Sequence, residues 1–354
     1  MMAVAAPGGS RRLLLLWGLG VPALIALLVL GVTFGSTDIA VSDVWRILTD
    51  QLLGRPLVEG SHEIIIWRVR FPRPVLAALI GAGLGVVGVA VQAIVRNPLA
   101  DPYLLGVSSG ASFGAVATLV LGGSTAAALV STTFALPVTA FLGAMAAFLV
   151  VWLIGARGAA VAPLRLILAG VAIGQIFASF TSFLVLQADD INLTQGILHW
   201  LMGSLSGAIG PAIPIVAAVV VSGAIGLFAL ARPLNALIVG DETANSLGIS
   251  PKRVRTEVFV ITSLMTGVMV AFSGAIGFIG LVIPHIARFL VGTDHRKLLP
   301  ASALCGALLL SGVDLLCRLA TRVINQELPI NVVAAVIGAP TLLYLVSRHQ
   351  RRTA

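Results

Sequence analysis

Long apolar runs broken by short charged segments dominate this chain. Leu13 to Thr37 carries no charge. Further uncharged runs extend from Pro74 to Val95, Pro102 to Ala156, Leu166 to Ala188 and Ile191 to Ala231. Three more run from Val258 to Ala287, Leu298 to Val313 and Leu328 to Ser347. A helix that crosses a membrane needs about 20 apolar residues, each adding about 1.5 Å. The stretch from Pro102 to Ala156 therefore holds two spans, divided around Gly122-Gly123-Ser124. The pattern predicts ten helices, near 13–34, 73–95, 105–122, 130–154, 164–187, 211–231, 254–273, 280–290, 299–321 and 330–347.

One interval does not fit a simple up-and-down count. Both flanks of 256–288 read as the same side, and two full crossings would need about 40 residues. Gly274, Gly277 and Gly280 interrupt the apolar pattern and Pro284 follows. A full span to Gly274, a bent glycine passage and a short returning helix fit this segment. Non-helical backbone at that depth must be buried in protein or line an aqueous cavity. A weaker echo lies in the first half, where Asn97-Pro98-Leu99-Ala100-Asp101-Pro102 separates two apolar runs. Interruptions in both halves suggest an internal repeat and point to where a transport pathway would lie.

Composition agrees with a lipid setting. Of 354 residues, 58% are hydrophobic and 10% charged, and the mean hydropathy is +1.06. Ordinary soluble domains are about a quarter charged. The net charge of +8 does not imply a nucleic-acid partner, because the basic residues form no stripe and sit between apolar runs as topology signals do. Ten spans with the N-terminus inside put most of the 22 Lys and Arg inside, with both termini cytoplasmic in a multi-pass cell-membrane protein. Arg11 and Arg12 before the first run resemble a signal peptide, but the run is long and lacks a small-residue cleavage site, so it reads as a retained span. Cys305 and Cys317 read as buried free thiols.

Between the spans, Ser42 to Gly54 suggests a surface helix capped by Ser42, with Trp45, Leu48 and Leu52 on its apolar face. Lying at the membrane interface and packing over the bundle mouth both fit. The inner loop from Arg232 to Arg255 interleaves Leu234, Leu237, Leu247 and Ile249 with Asn235, Gly240, Asp241, Glu242, Asn245 and Gly248. That mixture reads as short amphipathic helices, set against another protein or along the membrane surface. Asp314 and Arg318 are four apart and could pair locally. Gln92 is polar within a span, where such residues face the bundle interior or a pathway.

Enzyme motifs are missing from the sequence. Gly83, Gly85 and Gly88 match a dinucleotide-type pattern, yet they lie with Gly81 inside an apolar helix, where small residues permit close helix packing. No G-x-x-x-x-G-K-[ST] phosphate loop occurs, so ATP hydrolysis would have to come from another chain. The five histidines are scattered without metal-ligand spacing, and no serine or cysteine sits in a nucleophile setting. An intramembrane enzyme is therefore disfavoured, and this chain is expected to bind no metal or cofactor itself.

At this point the motifs resemble a known family. Arg70-Phe71-Pro72-Arg73, the glycines that follow, Gln92, and Arg96-Asn97-Pro98-Leu99-Ala100-Asp101-Pro102 resemble the front signature of the FecCD permeases. Asp241-Glu242-Thr243-Ala244 through Leu247-Gly248 is similar to that family's ATPase-contacting loop. Gly277-Phe278-Ile279-Gly280-Leu281-Val282-Ile283-Pro284-His285-Ile286-Ala287-Arg288 resembles its most specific run. Glu327-Leu328-Pro329-Ile330 and Gly338-Ala339-Pro340 resemble its closing signature, so the match spans about Arg11 to Arg348.

The resemblance implies an all-α, polytopic transmembrane bundle of about ten helices with type II ABC importer permease architecture. It implies one permease domain over 1–354, with 232–255 as a cytoplasmic coupling loop. Expected partners are a second permease, identical or paralogous, two cytoplasmic ATPases carrying ATP and Mg, an extracytoplasmic substrate-binding protein and membrane lipid. By motif position, Asn235, Gly240, Asp241, Glu242, Ala244, Leu247 and Gly248 would couple to the ATPase. Gln92, Asn97, Pro98, Pro284, His285 and Arg288 would shape the pathway or its gate, and Arg70 and Arg73 would meet acidic groups of the binding protein. A ferric siderophore is the first expectation for substrate, with cobalamin and haem as alternatives. A proton- or sodium-coupled secondary transporter also uses interrupted helices, but the coupling-type loop and few intramembrane acids favour the ATP-driven reading. Two departures stand out: Asn331 where the family often has glycine, and Ala334 where it often has threonine. Asn tolerates left-handed backbone, so a turn at 331 is expected to survive.

Overall fold

The computed structural model describes residues 9–35, 39–55, 61–121, 134–155, 163–188, 190–324 and 326–353. Every regular element among them is helical. In chain order these are α1 (Gly9–Thr33), α2 (Val41–Leu52), α3 (Ser61–Ile64), α4 (Pro72–Val95) and α5 (Val107–Leu121). Then come α6 (Ala135–Gly155), α7 (Pro163–Leu186), α8 (Ile191–Leu201), α9 (Ala212–Ala229) and α10 (Ala231–Val239). The last are α11 (Asp241–Ser246), α12 (Pro251–Ser273), α13 (Ile279–Val291), α14 (His295–Ile324) and α15 (Ile330–Thr353). A π-helical turn, Ile65–Arg70, joins α3 to α4, and a 3₁₀ turn, Pro102–Leu105, precedes α5.

Seven of these helices are long and apolar enough to cross a membrane, and three shorter apolar ones lie within α5, α13 and α15. Together they occupy the ten positions expected from the hydrophobic pattern. The divider at Gly122-Gly123-Ser124 lies outside the described residues. Helix α14 begins four residues earlier than expected, at His295, because Asp294 starts the helix. Its Oδ1 accepts from the Arg296 amide at 3.1 Å and its carbonyl from the Leu298 amide at 2.8 Å.

Helix α4 is the axis of the packing. Its most apolar window is 78% buried, against 6% for α1, whose apolar side chains face outward. Around α4 pack α9, α12, α13 and α14, while α5, α6 and α7 form a neighbouring group joined to it through α12. The glycines of α4 make this close approach possible. A Cβ on Gly81 would strike the carbonyl oxygen of Gly306, one on Gly85 that of Ser302, and one on Gly88 that of Gly280. This is the small-residue packing expected of a membrane bundle. Where α6 meets α12, Phe259 stacks between Phe148 and Trp152, with ring centroids 5.1 and 5.4 Å away.

The surface helix differs in detail from its sequence reading. It begins after Ala40, with Ser42 inside the first turn and making no capping bond. Val44, Ile47 and Leu48 are its buried residues, packed against Val32 and Ile66, while Trp45 faces outward. It covers the end of the bundle where α1 finishes. Helix α8 was not foreseen; Asp190 starts it by accepting from the Asn192 amide at 2.8 Å, and Ile197 buries against Val116 and Leu184.

Candidate functional site

The chemistry-bearing residues gather at two ends of the bundle and at one break between them. At the first end α4 finishes on Arg96, whose left-handed backbone (φ 55°) turns the chain sharply. The Arg96 guanidinium pairs with Asp241 and donates through Nε to the Leu237 carbonyl at 3.0 Å. Asp241 is also gripped by Arg255, with Nη1 on Oδ2 at 2.9 Å and Nη2 on Oδ1 at 2.8 Å. One carboxylate therefore ties α11 to the end of α4 and the start of α12.

Helix α10 is held by a second clasp. Asn235 Nδ2 donates to Asp294 Oδ1 at 2.8 Å, and Asn235 Oδ1 accepts from the His295 amide at 3.0 Å. Burial alone would raise the Asp294 carboxyl, but the Asn235 and Arg296 hydrogen bonds and the charges of Arg296 and Lys297 hold it below its usual range. Leu234, Leu237 and Ala244 are buried and fix these short helices to the bundle. Glu242, Thr243, Asn245, Leu247 and Gly248 point outward, with Leu247 65% exposed. Gly248 (φ 75°) closes α11, its amide bonding the Asn245 carbonyl at 2.9 Å, and a left-handed residue here favours glycine. Gly240 (φ 155°) separates α10 from α11. The loop is thus two amphipathic helices on a rigid base, with a mixed apolar and acidic face left open.

The break follows α12. Gly274 takes φ 64° and ψ −170°, a conformation nearly restricted to glycine, and Phe278 is left-handed at φ 66° before α13 starts. Gln92 reaches from α4 to α13, where Nε2 lies 3.4 Å from the Leu281 carbonyl. Its Oε1 is buried without a hydrogen-bond partner among the described residues. Pro284 is buried inside α13 and, lacking an N–H, leaves the Gly280 carbonyl without its helical donor, while His285 Nδ1 lies 3.0 Å from the Leu281 carbonyl. Arg288 is half-buried one turn further on. Asn97 and Pro98 are exposed, Asn97 Oδ1 accepting from the Leu99 amide at 2.9 Å. Of the expected gating residues, Gln92, Pro284, His285 and Arg288 therefore cluster on α4 and α13, whereas Asn97 and Pro98 sit on the connection beside Arg96.

At the opposite end Arg70 and Arg73 are not open rim charges. Arg70 is 5% exposed, with Nη1 donating to the Thr33 carbonyl at 3.0 Å. Arg73 is 8% exposed, with Nε on Asp314 Oδ1 at 2.7 Å and Nη2 2.7 Å from Glu327 Oε1. Asp314 does pair with Arg318, at 2.8 Å, and Arg318 donates to the Gly31 carbonyl. The reason for this burial lies in the fold: Asp314 on α14 pairs with both Arg73 and Arg318, and Glu327 on the loop after it with Arg73, so these two arginines can leave water, while Arg70 is held by the Thr33 carbonyl.

Two features gave no clear sequence signal. On α7, Gln175, Ser179 and Ser182 form an exposed polar stripe, and Gln175, Ser179, Phe180 and Phe183 line a groove of about 600 Å³. The Ser179 and Ser182 hydroxyls donate back to the Gln175 and Ala178 carbonyls at 2.9 and 3.0 Å, so the Gln175 amide is the group of this face that does not suit lipid. Reading Leu166 to Ala188 as merely uncharged hid the i, i+4, i+7 spacing that marks it. The second is a cavity of about 310 Å³ between α6, α8 and the end of α12, lined by His199, Trp200, Ser204, Ser206 and Phe272.

A bundle of membrane-crossing helices with a glycine-broken helix pair and a rigidly based amphipathic loop at one end defines a multi-span membrane permease of the ABC transporter class. More narrowly, the chain belongs to the FecCD transport family, which it matches over residues 23–348. It is 40% identical over 335 residues to the uncharacterized ABC transporter permease protein YvrB of Bacillus subtilis, covering 94% of this chain and 93% of that one. It is 37% identical over 295 residues to the cobalamin import system permease protein BtuC of Halobacterium salinarum, covering 83% and 76%. Its fold is similar, at TM-score 0.79 and 29% identity, to a solved transporter described as an ABC transporter of metal-chelate type in an inward-facing conformation, covering 94% of this chain and 99% of that one.

Proposed function

We propose that this chain is the membrane subunit of an ATP-driven importer for a large metal chelate. The observation that carries the reading is the Asp241 clasp, which binds an exposed amphipathic face to both α4 and α12. Such a face suits a cytoplasmic ATPase, which would hold ATP and Mg. Closure of two ATPases would push on α10 and α11, and the rigid base would pass that displacement to the helices around the break. The end carrying Arg96 is then cytoplasmic, and the end carrying Arg73 faces a substrate-binding protein. The exposed groove on α7, where Gln175 lies beside Phe180 and Phe183, supports a second permease, identical or paralogous, against this face, because a side-chain amide turned to lipid would be costly.

The substrate class is narrower than the exact substrate. A ferric siderophore is the first choice from the family resemblance, and the relative from Halobacterium salinarum imports cobalamin by its name. Both are metal ions enclosed in an organic ligand, which a pathway can carry whole without its side chains touching the metal. Uptake of labelled cobalamin and labelled ferric siderophore by a strain lacking this gene, with and without restoration, decides between them. ATP-dependent uptake of one chelate is expected on restoration; uptake of neither, or uptake that survives ATP depletion in the presence of an ion gradient, rejects the proposal.

A further inference from the structure

Two interruptions far apart in the sequence meet in the fold. The Tyr103 hydroxyl accepts from the Ile276 amide at 3.0 Å and donates to the Ile276 carbonyl at 2.9 Å. Both backbone groups belong to the break, after α12 has ended and before α13 begins, where no helical partner is available. The next amide, Gly277 N–H, donates to Asn331 Oδ1 at 3.0 Å, from the first turn of α15. A backbone group left unpaired in such a setting is expensive, so these three side-chain bonds hold the break in one shape. Asn331 itself has no left-handed backbone. Its side chain, rather than its tolerance of unusual φ, is what this position uses.

The surroundings are equally fixed. Ser204 N–H donates to the Ser273 carbonyl at 2.9 Å, and Ile330 N–H to the Gly203 carbonyl at 3.0 Å. Asp101 Oδ1 accepts from the Tyr103 amide at 2.8 Å, which sets the turn that aims the ring. Pro102 packs on Gly280, where an added Cβ would lie 2.8 Å from the proline Cγ. At the other end of the same short connection stands Arg96, paired with Asp241. Residues 96–103 are therefore bound at one end to the exposed helix α11 and at the other to the break.

We propose that Tyr103 and Asn331 are positioning residues that make the α12–α13 break follow the coupling helix. Displacement of α11 pulls on Arg96, passes along residues 96–103, and reaches Ile276 through the Tyr103 hydroxyl. Asn331 keeps the adjacent Gly277 from yielding, so α13 moves with the connection instead of absorbing the motion locally. This inference rests on the importer reading given above, but the clamp itself does not.

Two measurements separate them. In the purified permease in lipid nanodiscs, Tyr103→Phe and Asn331→Gly should each speed amide exchange across residues 275–278 about fivefold, with α4 and α14 still protected, as expected when one backbone amide loses its acceptor in each variant. Unchanged exchange there in both variants overturns the clamp. In the assembled transporter in vesicles, Tyr103→Phe should lower substrate carried per ATP about fivefold, with hydrolysis kept within about twofold. An unchanged ratio, or uptake and hydrolysis falling in step, overturns the coupling role. Should the unaltered complex show no ATP-driven uptake, the importer reading fails while the exchange measurement still decides the clamp.

Discussion

Asp241 offers both carboxylate oxygens to Arg255, at 2.8 and 2.9 Å, while the same group holds Arg96 at the end of α4. The side chain of Arg255 is only 5% exposed, so loss of its partner leaves a largely buried guanidinium beside another positive charge. Asp241 is itself 43% exposed, which moderates the cost. Asp241→Ala should destabilise this end by about 2 kcal/mol, below the roughly 3–5 kcal/mol of a fully buried pair. Its larger effect should be functional. ATP hydrolysis by the complex is expected to persist while uptake falls about tenfold or more, and binding-protein docking should stay intact. Parallel uptake and hydrolysis assays read this directly; Asp241→Glu, which keeps the charge, should recover part of the coupling.

Gly248 tests the shape of the same element without touching charge. Its φ of 75° ends α11 and turns Leu247 outward. A Cβ there would meet no neighbour, so a substitution acts through backbone strain alone. Gly248→Ala should cost about 1 kcal/mol locally and reduce association of the ATPase, with the transmembrane helices as stable as before. Equal ATPase binding in both proteins would remove Leu247 and its neighbours from the contact.

Much of the fold was legible because lipid imposes a strict rule. Each span needs an apolar run, so eight uncharged runs, two of them divided in two, predicted ten helices, and glycines after Ser273 marked the break. The 232–255 loop was legible as short amphipathic helices, but Leu234 and Leu237, expected to face another protein or the membrane surface, instead bury in this chain's own core, while Leu247 stays open. Charged residues were harder. A local spacing of four suggested Asp314 with Arg318, but no periodicity reports that Arg73 lies 2.7 Å from Asp314, 241 residues away. Motif position set Arg70 and Arg73 against acids of a binding protein, and only the fold shows Arg73 buried between Asp314 and Glu327 and Arg70 against the Thr33 carbonyl. Tyr103 and Asn331 were hidden likewise, since one is a lone aromatic beside a turn and the other looked like a backbone substitution. Their role depends on which orphaned amide each side chain reaches.

The Asn235–Asp294 clasp carries a pH signature. The Asp294 carboxyl lies below its ordinary value of 3.8, so the charged form is the one the folded protein favours. Its contribution is fully present above the ordinary carboxylate range and is lost as pH falls through the lowered value. The stability gap between the unaltered protein and Asp294→Asn should therefore stay constant from neutral pH down to about pH 4 and shrink only below it. Thermal midpoints of the two proteins measured across that range check the sign; a gap that widens on acidification contradicts it.

At the far end, Arg73 sits between Asp314 and Glu327, each 2.7 Å away. Any acidic group on a docking partner must therefore compete with carboxylates already in place. Arg73→Glu would set a third carboxylate against these two and should lower permease stability by about 3–5 kcal/mol, so lost docking in that variant would not isolate the interface. Glu327→Gln separates the roles. Arg73 keeps Asp314 and the fold survives, while one competing charge disappears. If Arg73 meets the binding protein, its affinity should rise about fivefold in this variant at low salt, and the gain should fade as ionic strength increases. Affinity measured by titrating binding protein onto the reconstituted permease gives the answer. No change at low salt would assign Arg73 to holding α4, α14 and the loop before α15 together, and would leave docking to other residues.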